Sequence, residues 1–430
     1  MHIISSTWSE LLGQFFHVFT TPGSEIFLRL VTGWVLCTVR RTVTGILPFA
    51  DPQGRRAHDA FHRFLPKTRW DMNALWQRLT MLLVEAFAPG GIIELDLDDT
   101  LFHRCGRKVC GAGWWRDAVR STAHCVVHAW GLNLVVLTLR VYPPWGGEPL
   151  GLPILMRLHR KGGDSLIDLA QAMLCQLAAW RPERAFRLHA DGFYATLAGR
   201  GLVRIPLISR MRRDAVLYEP LAASPGKKKR GRPATKGHRL PTPEQMARGV
   251  RSWRPVVTLE RGQTRKRLIY ARQAVWYHVS KTPVLLVISR DPAGKERDDF
   301  FLTTDLSLRP EQVVGGFAGR WSIEDTFKNT KQFLGGQEPQ TWKGPGPERA
   351  AMLSLWLSSV VWLWYLSQKG HAGKLCVPAW YPKKVHPSFQ DALAGLRRYL
   401  WTQRIIAMFG KRLGHGKNTD LLLEALSRAA

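Results

Sequence analysis

The stretch PGGIIELDLDDT, residues 89–100, decides how this chain reads. Pro89-Gly90-Gly91 closes what precedes it, because both residue types interrupt helical patterns. From Ile92 to Asp98 apolar and acidic residues alternate, and a period of two marks a half-buried strand. Asp98 ends that strand, with Asp99 and Thr100 next. The alternation puts Asp96 on the face of Asp98 and Asp99 on the opposite one.

Upstream, residues 1–88 read as helical: Leu75, Leu79, Leu82 and Leu83 repeat at helix spacing, and Asp71 stands where a cap belongs. Arg40, Arg41, Arg55, Arg56, Arg63, Lys67 and Arg69 stud this region, as a solvated face or a DNA contact would require. Downstream, strands are expected over Thr122–Trp130 and Leu132–Tyr142, before Pro143-Pro144 and Gly146-Gly147. A helix over Asp164–Trp180 follows, then a strand over Ala185–Ala190 that ends at Asp191-Gly192, and another over Val203–Ile208. Three strands, a helix, a strand and further α/β structure is the order of a ribonuclease-H-like fold.

The character changes between 214 and 304. Residues 226–239, GKKKRGRPATKGHR, carry seven Lys/Arg and no acid, a composition that builds no core and predicts a mobile loop. Val256–Leu259, Arg267–Tyr270, Val275–Ser280 and Val284–Ser289 read as strands of a β-rich insertion. A helix from Pro310 to about Leu334, an apolar helix over 350–367 and a basic helical tail complete the chain, with no internal repeat.

Composition narrows the function. The chain has 430 residues, a net charge of +29 and 45% hydrophobic residues. It is long enough for two to four domains at about 150 residues each, and too apolar for global disorder. The charge calls for a polyanionic partner, nucleic acid first. Six cysteines are too sparse for a disulfide framework and fit a reducing cytoplasm. Glu10 and the absence of a basic start argue against a secretory leader. The uncharged 350–367 segment is interrupted by Ser354, Ser358, Ser359 and Ser367, and reads as a core helix rather than a membrane span.

Three carboxylates stand on rigid elements: Asp98 at a strand end, Asp191 just past another, and Glu324 within the 310–334 helix. Such a set suits two Mg²⁺ ions, hard cations that take oxygen ligands. Two such ions, about 3.5–4 Å apart, stabilise the attacking and leaving oxygens of a phosphoryl displacement. At about 100° per residue, Phe317, Arg320, Glu324 and Lys331 share one helix face, a carboxylate between two cations.

The spacing F-x2-R-x3-E-x6-K of those four residues resembles the Y-x2-R-x3-E-x6-K signature of DDE transposases, in the cut-and-paste insertion-sequence group. GRWSIEDTFKNTKQFLGGQEPQTW (319–342), LDLDDTLFHRCGRKVCGAGWW (95–115) and LHADGFYA (188–195) are similar to that group's three acidic regions. Phe317 departs from the signature tyrosine. The resemblance spans about residues 90–345 and implies an α/β ribonuclease-H-like core, a mixed five-stranded sheet with helices, interrupted by the β-rich insertion. The domains would be 1–88, a helical DNA-binding region; 89–213 and 305–370, the two parts of the catalytic core; 214–304, the basic loop and insertion; and 371–430, a helical C-terminal region.

The resemblance also implies the chemistry. Asp98, Asp191 and Glu324 would be catalytic and hold two Mg²⁺, with Mn²⁺ a substitute; Asp99 is the alternative first acid, and D-x-T favours Asp98. Arg320 and Lys331 would hold DNA phosphates. The protein would cleave double-stranded DNA at element ends and transfer the freed strand to target DNA, as a homodimer on DNA in a prokaryotic cytoplasm at the nucleoid, without a membrane. A domesticated, non-catalytic DNA binder and a nuclease without strand transfer are the rival readings.

Lys227, Lys228, Lys229, Arg230 and Arg232 form a phosphate-binding loop, or, through Arg230-Gly231-Arg232-Pro233, resemble an AT-hook core for the minor groove. Arg210, Arg212 and Arg213 are placed to line a DNA groove. Trp253 and Trp276 read as sheet core before base-stacking residues. His103, Cys105, Cys110, His124, Cys125 and His128 have spacing too loose for zinc. The chain lacks a phosphate-binding G-x-x-x-x-G-K-[ST] loop and a serine nucleophile elbow. Deleting residues 226–239 is expected to weaken DNA binding and to flatten the slope of log affinity against log salt, since each phosphate contact contributes about 0.9 to it. A salt titration followed by fluorescence anisotropy measures that slope.

Overall fold

The computed structural model describes residues 7–122, 124–221, 236–368, 381–409 and 417–428. Most of the basic 226–239 segment, with Lys227, Lys228, Lys229, Arg230 and Arg232, lies outside the described residues.

The first 88 residues form α1 (Trp8–Gly13), α2 (Thr21–Leu36), α3 (Val43–Ala50), α4 (His58–Phe64) and α5 (Met72–Phe87). Asp71 caps α5 by accepting from the Asn73 amide at 2.8 Å, as its position predicts. These helices do not stand apart from the sheet. Phe15 meets Trp356 edge to face at 4.9 Å, and the Trp34 indole donates to the Leu334 carbonyl at 2.8 Å.

The sheet has ten strands, not five: β1 (Ile93–His103), β2 (Gly113–Arg116), β3 (His128–Val141), β4 (Leu150–His159), β5 (Phe186–Ala190), β6 (Leu207–Arg210), β7 (Arg254–Glu260), β8 (Gln263–Ala274), β9 (Val284–Arg290) and β10 (Asp299–Thr303). Three antiparallel strands (β1, β3, β4) are followed by α6 (Leu166–Trp180), and then by β5 and β6, which pair parallel to β1 and to each other. The insertion strands are no separate body. β10 pairs with β6, and β9, β8 and β7 extend the same sheet outward.

Several boundaries differ from expectation. Residues 124–127 belong to no strand, the Asp117 amide donates to the Val127 carbonyl at 2.8 Å, and β3 runs from His128 to Val141. β4 has no counterpart in the sequence reading, because Gly151 and Pro153 make it look unlike a strand. A register irregularity at Leu137/Thr138, opposite that proline, accommodates it. The strand expected at Val203–Ile208 begins at Leu207 instead. Val275–Ser280 turns back on itself, the Val279 and Ser280 amides bonding the Trp276 carbonyl, instead of forming a strand. The single helix expected from Pro310 is two, α8 (Pro310–Gly319) and α9 (Ser322–Gln332), broken at Arg320-Trp321.

The apolar helix is α10 (Gly346–Ser367), long and apolar enough to cross a membrane but with 94% of its apolar window buried inside the fold. Its serines are satisfied there: Ser354 and Ser358 donate to Ala351 and Leu355 carbonyls, and Ser359 donates across to the Pro153 carbonyl at 2.8 Å. α11 (Phe389–Phe409) and α12 (Lys417–Arg428) follow.

α9 seats on β4 through a close approach. The Thr326 hydroxyl donates to the Gly151 carbonyl at 2.6 Å, and a Cβ at Gly151 would stand 3.0 Å from the Ser322 carbonyl oxygen. Backbone atoms on both sides leave no room to yield. Gly151→Val is therefore expected to cost about 2 kcal/mol through overpacking, and Gly151→Ala less; guanidinium denaturation measures both.

Candidate active site

Two strands bring the first acids together. β1 and β5 run parallel with Leu97 opposite Ala190, so the next residue of each, Asp98 and Asp191, stand side by side: Asp191 just past the end of β5, and Asp98 midway along β1, which runs on to His103 instead of ending at Asp98 as expected. Asp191 is fixed by its role as a cap. Its Oδ1 accepts the Phe193 amide at 3.0 Å, and its carbonyl accepts the Ser209 hydroxyl at 2.7 Å.

Glu324 arrives on α9. Arg320, at the break before that helix, joins it to the strand: Nη1 donates to Asp98 Oδ2 at 2.6 Å and Nη2 to Glu324 Oε1 at 2.7 Å. Asp98 and Glu324 thus share one buried guanidinium, which also feels the charge of Asp191. Burial disfavours the charge of Arg320, but Asp98, Glu324 and Asp191 outweigh it and hold its pKa above the ordinary arginine value.

One cation does not balance this cluster. Burial, reinforced by the neighbouring Asp191 and Asp99 charges, pushes Asp98 up to about 7 in spite of Arg320. Asp99 points to the other side of β1, where the Tyr194 hydroxyl donates to its Oδ1 at 3.1 Å. Burial raises its pKa as well, against that hydrogen bond.

Asp96 shares a face with Asp98 but does a different job. It is fully buried, bonded by two nitrogens of the buried Arg140 and by the Ser322 hydroxyl at 3.1 Å. That pair pins β3 and the first turn of α9 to β1 beneath the acids.

The other predicted residues lie further out. Lys331 is half-buried, with Nζ 5.7 Å from the Phe102 ring centroid, towards the far end of β1, and burial lowers its pKa. Arg210 pairs with Asp299 at 2.6 Å and lies 5.6 Å from the Phe317 ring, which packs on Phe301 at 4.9 Å. Arg212 is paired with Asp214 at 2.7 Å. Trp276 is buried, and Trp253 packs under the Arg290 guanidinium at 4.2 Å. His103 is taken by Asp117 at 2.9 Å.

Sequence reasoning missed three things here: the Tyr194–Asp99 bond, the Arg140–Asp96 base, and Arg320 as a link between two acids. Tyr194 lies inside the quoted 188–195 segment, three residues after Asp191, and was legible as a neighbour. Arg140 gave no local signal.

Among the described residues, no three His, Cys, Asp or Glu side chains stand close enough together to ligate one metal. The chemistry of the donor set nevertheless suits a hard divalent cation. Asp98, Asp191 and Glu324 offer only oxygens, the ligand type such a cation takes.

Two carboxylates thus stand side by side on neighbouring strands, and an arginine joins one of them to a third. The family model of the DDE superfamily endonucleases matches residues 14–282, well over half of the chain, and the protein belongs to that family. The match includes Asp98 and Asp191 and stops before Glu324. No curated protein matches the chain.

Arg320→Gln leaves Asp98 and Glu324 facing each other without their shared cation. It is expected to destabilise the metal-free protein by about 2 kcal/mol, less than a fully buried pair because Glu324 is partly exposed; Arg320→Lys should recover part of this, lacking the fork that reaches both acids. Urea denaturation in a chelating buffer reads the difference.

Proposed function

We propose that this endonuclease is a transposase with a ribonuclease-H-like core, which cuts a DNA strand at the ends of a mobile element and joins the freed 3′-OH to target DNA. The observation that carries the reading is the convergence of Asp98, Asp191 and Glu324 from three separate segments, with Arg320 between them. Three antiparallel strands, a helix and two parallel strands support the core assignment.

Asp98, Asp191 and Glu324 would hold two Mg²⁺ ions, or Mn²⁺ in their place, which when bound stabilise charge on the attacking and leaving oxygens of an in-line displacement. The rest is the work of the chain. β1 carries Asp98 midway along its length and β5 ends just before Asp191, and the Phe193 amide and Ser209 hydroxyl keep Asp191 from turning away. Arg320 has a planar fork suited to a phosphate as well as to carboxylates, and stands where a phosphodiester entering between Asp98 and Glu324 would meet it. Lys331 and Arg210 lie to either side and would hold the backbone of the strand on its way in. The net charge of +29 supplies affinity without sequence preference. Two element ends require two such sites, so we propose a homodimer assembled on DNA, in a prokaryotic cytoplasm at the nucleoid.

The test separates chemistry from binding. Asp191→Asn and Glu324→Gln each remove an anion at nearly constant size. Cleavage of a plasmid bearing the DNA that flanks the coding sequence should fall by at least about 10²-fold in Mg²⁺. Gel-shift affinity should stay equal or tighten, since a repelling carboxylate is gone. Asp98→Asn should behave like these two, and Asp99→Asn should keep more cleavage if Asp98 is the first acid. Full cleavage by the Glu324→Gln protein would sink the proposal, and cleavage with no joined products would leave a nuclease without strand transfer.

A further inference from the structure

β7 and β8 are joined by a turn of two residues, Arg261 and Gly262, since Glu260 stands opposite Gln263. Both lie at positive φ, 50° and 74°, the geometry of a type I′ hairpin. The first position of such a turn takes Asn, Asp or Gly by preference. A Cβ there crowds the following carbonyl oxygen, and Asn and Asp offset this with short local hydrogen bonds. Among the described residues Arg261 is the only non-glycine at positive φ. A costly conformation of this kind points to a side chain that serves something beyond the turn.

The tip of the hairpin is seated backbone to backbone on the loop before β4: a Cβ on Gly262 would stand 2.3 Å from the Gly147 carbonyl carbon. From that seat the Arg261 guanidinium pairs with Glu148 at 3.0 Å and lies 5.3 Å from the centre of the Trp321 ring. The pair with Glu148 is almost half exposed on both sides, and such a pair contributes little. It does not account for the arginine. Trp321 does. It occupies the break between α8 and α9 beside Arg320, and its carbonyl accepts the amides of Glu324 at 3.0 Å and Asp325 at 3.3 Å. Its ring is 45% exposed. The buried side of the break is held by Ser322 on Asp96, and Arg261 covers the exposed side.

We propose that Arg261 is a positioning residue: by holding the Trp321 ring it fixes the start of α9, and with it the Glu324 carboxylate. The inference rests on the reading of Glu324 as an active-site acid, and adds that the β7–β8 hairpin reaches back across the fold to set that acid in place.

The experiment gives the turn the residue it prefers. Arg261→Asn creates an Asn-Gly turn, a favoured type I′ pair, so the Tm of the variant should equal or exceed that of the wild type. In hydrogen exchange read by mass spectrometry, the amides of residues 323–325 should exchange about tenfold faster, while those of β7 and β8 keep their wild-type rates. On the flanking-DNA plasmid in Mg²⁺, kcat should fall at least about tenfold with gel-shift affinity unchanged. Arg261→Lys keeps a cation over the ring and should retain more of kcat than the Asn variant. Adding Arg261→Asn to Trp321→Ala should cost nothing beyond Trp321→Ala alone. A lower Tm with wild-type exchange and kcat would make Arg261 a residue of the turn only, and would overturn the proposal. Weaker DNA affinity and a flatter salt slope, with exchange unchanged, would make it a phosphate contact and overturn the proposal as well. A wild-type protein that cuts no DNA would overturn the proposed function, whereas the exchange rates would still decide whether Arg261 holds the break.

Discussion

Carboxylates repel one another, and the candidate active site depends on how this fold opposes that repulsion. Asp98 and Asp191 are forced together by backbone pairing of β1 with β5, an arrangement the sheet stabilises whatever the side chains prefer. Arg320 then compensates part of the charge by binding Asp98 and Glu324 at once, and draws α9 onto the strand ends. The remainder is stored as a carboxyl group whose proton is held to about pH 7. Burial is the main cause, and the charges of Asp191 and Asp99 add to it.

The surrounding structure keeps that cluster in place from below and behind. Asp96 and Arg140 form a buried pair under it, with Ser322 as a third partner, so the start of α9 is anchored by a polar contact as well as by packing. The absence of a side chain at Gly151 lets α9 lie directly on β4. α10 fills the space behind, packed against the N-terminal helices through Phe15 and Trp356 and bonded to β4 by Ser359. Precision at the acids therefore comes from rigid elements rather than from loops.

Much of this was legible from local pattern. Period-two alternation marked β1, helical spacing with Asp71 marked α5, and uncharged length with scattered serines marked α10 as core. The three acids stood out by their telling neighbours, although β1 does not end at Asp98 but runs on to His103. What failed was whatever depends on partners distant in sequence. Nothing near Pro153 announces a strand, since β3 supplies its pairing and absorbs the irregularity. The β-rich stretch was legible as strands but not the edge they join, and β10 pairs with β6. The helix from Pro310 was read as continuous, although Gly319 ends α8 just before the break, where Arg320 turns to bind Asp98 and Glu324.

The spacing of the acids along the chain has a consequence in time. A ribosome delivers residues one after another, at about 5–20 per second. Asp98 and Asp191 emerge early, whereas Arg320 and Glu324 lie more than a hundred residues later, and α10, which closes the core behind them, later still. During that interval the paired strands hold two aspartates with neither their arginine nor their glutamate. A nascent chain therefore carries an incomplete candidate site until α9 has emerged and packed. That cluster comes together only after the whole sheet has been made.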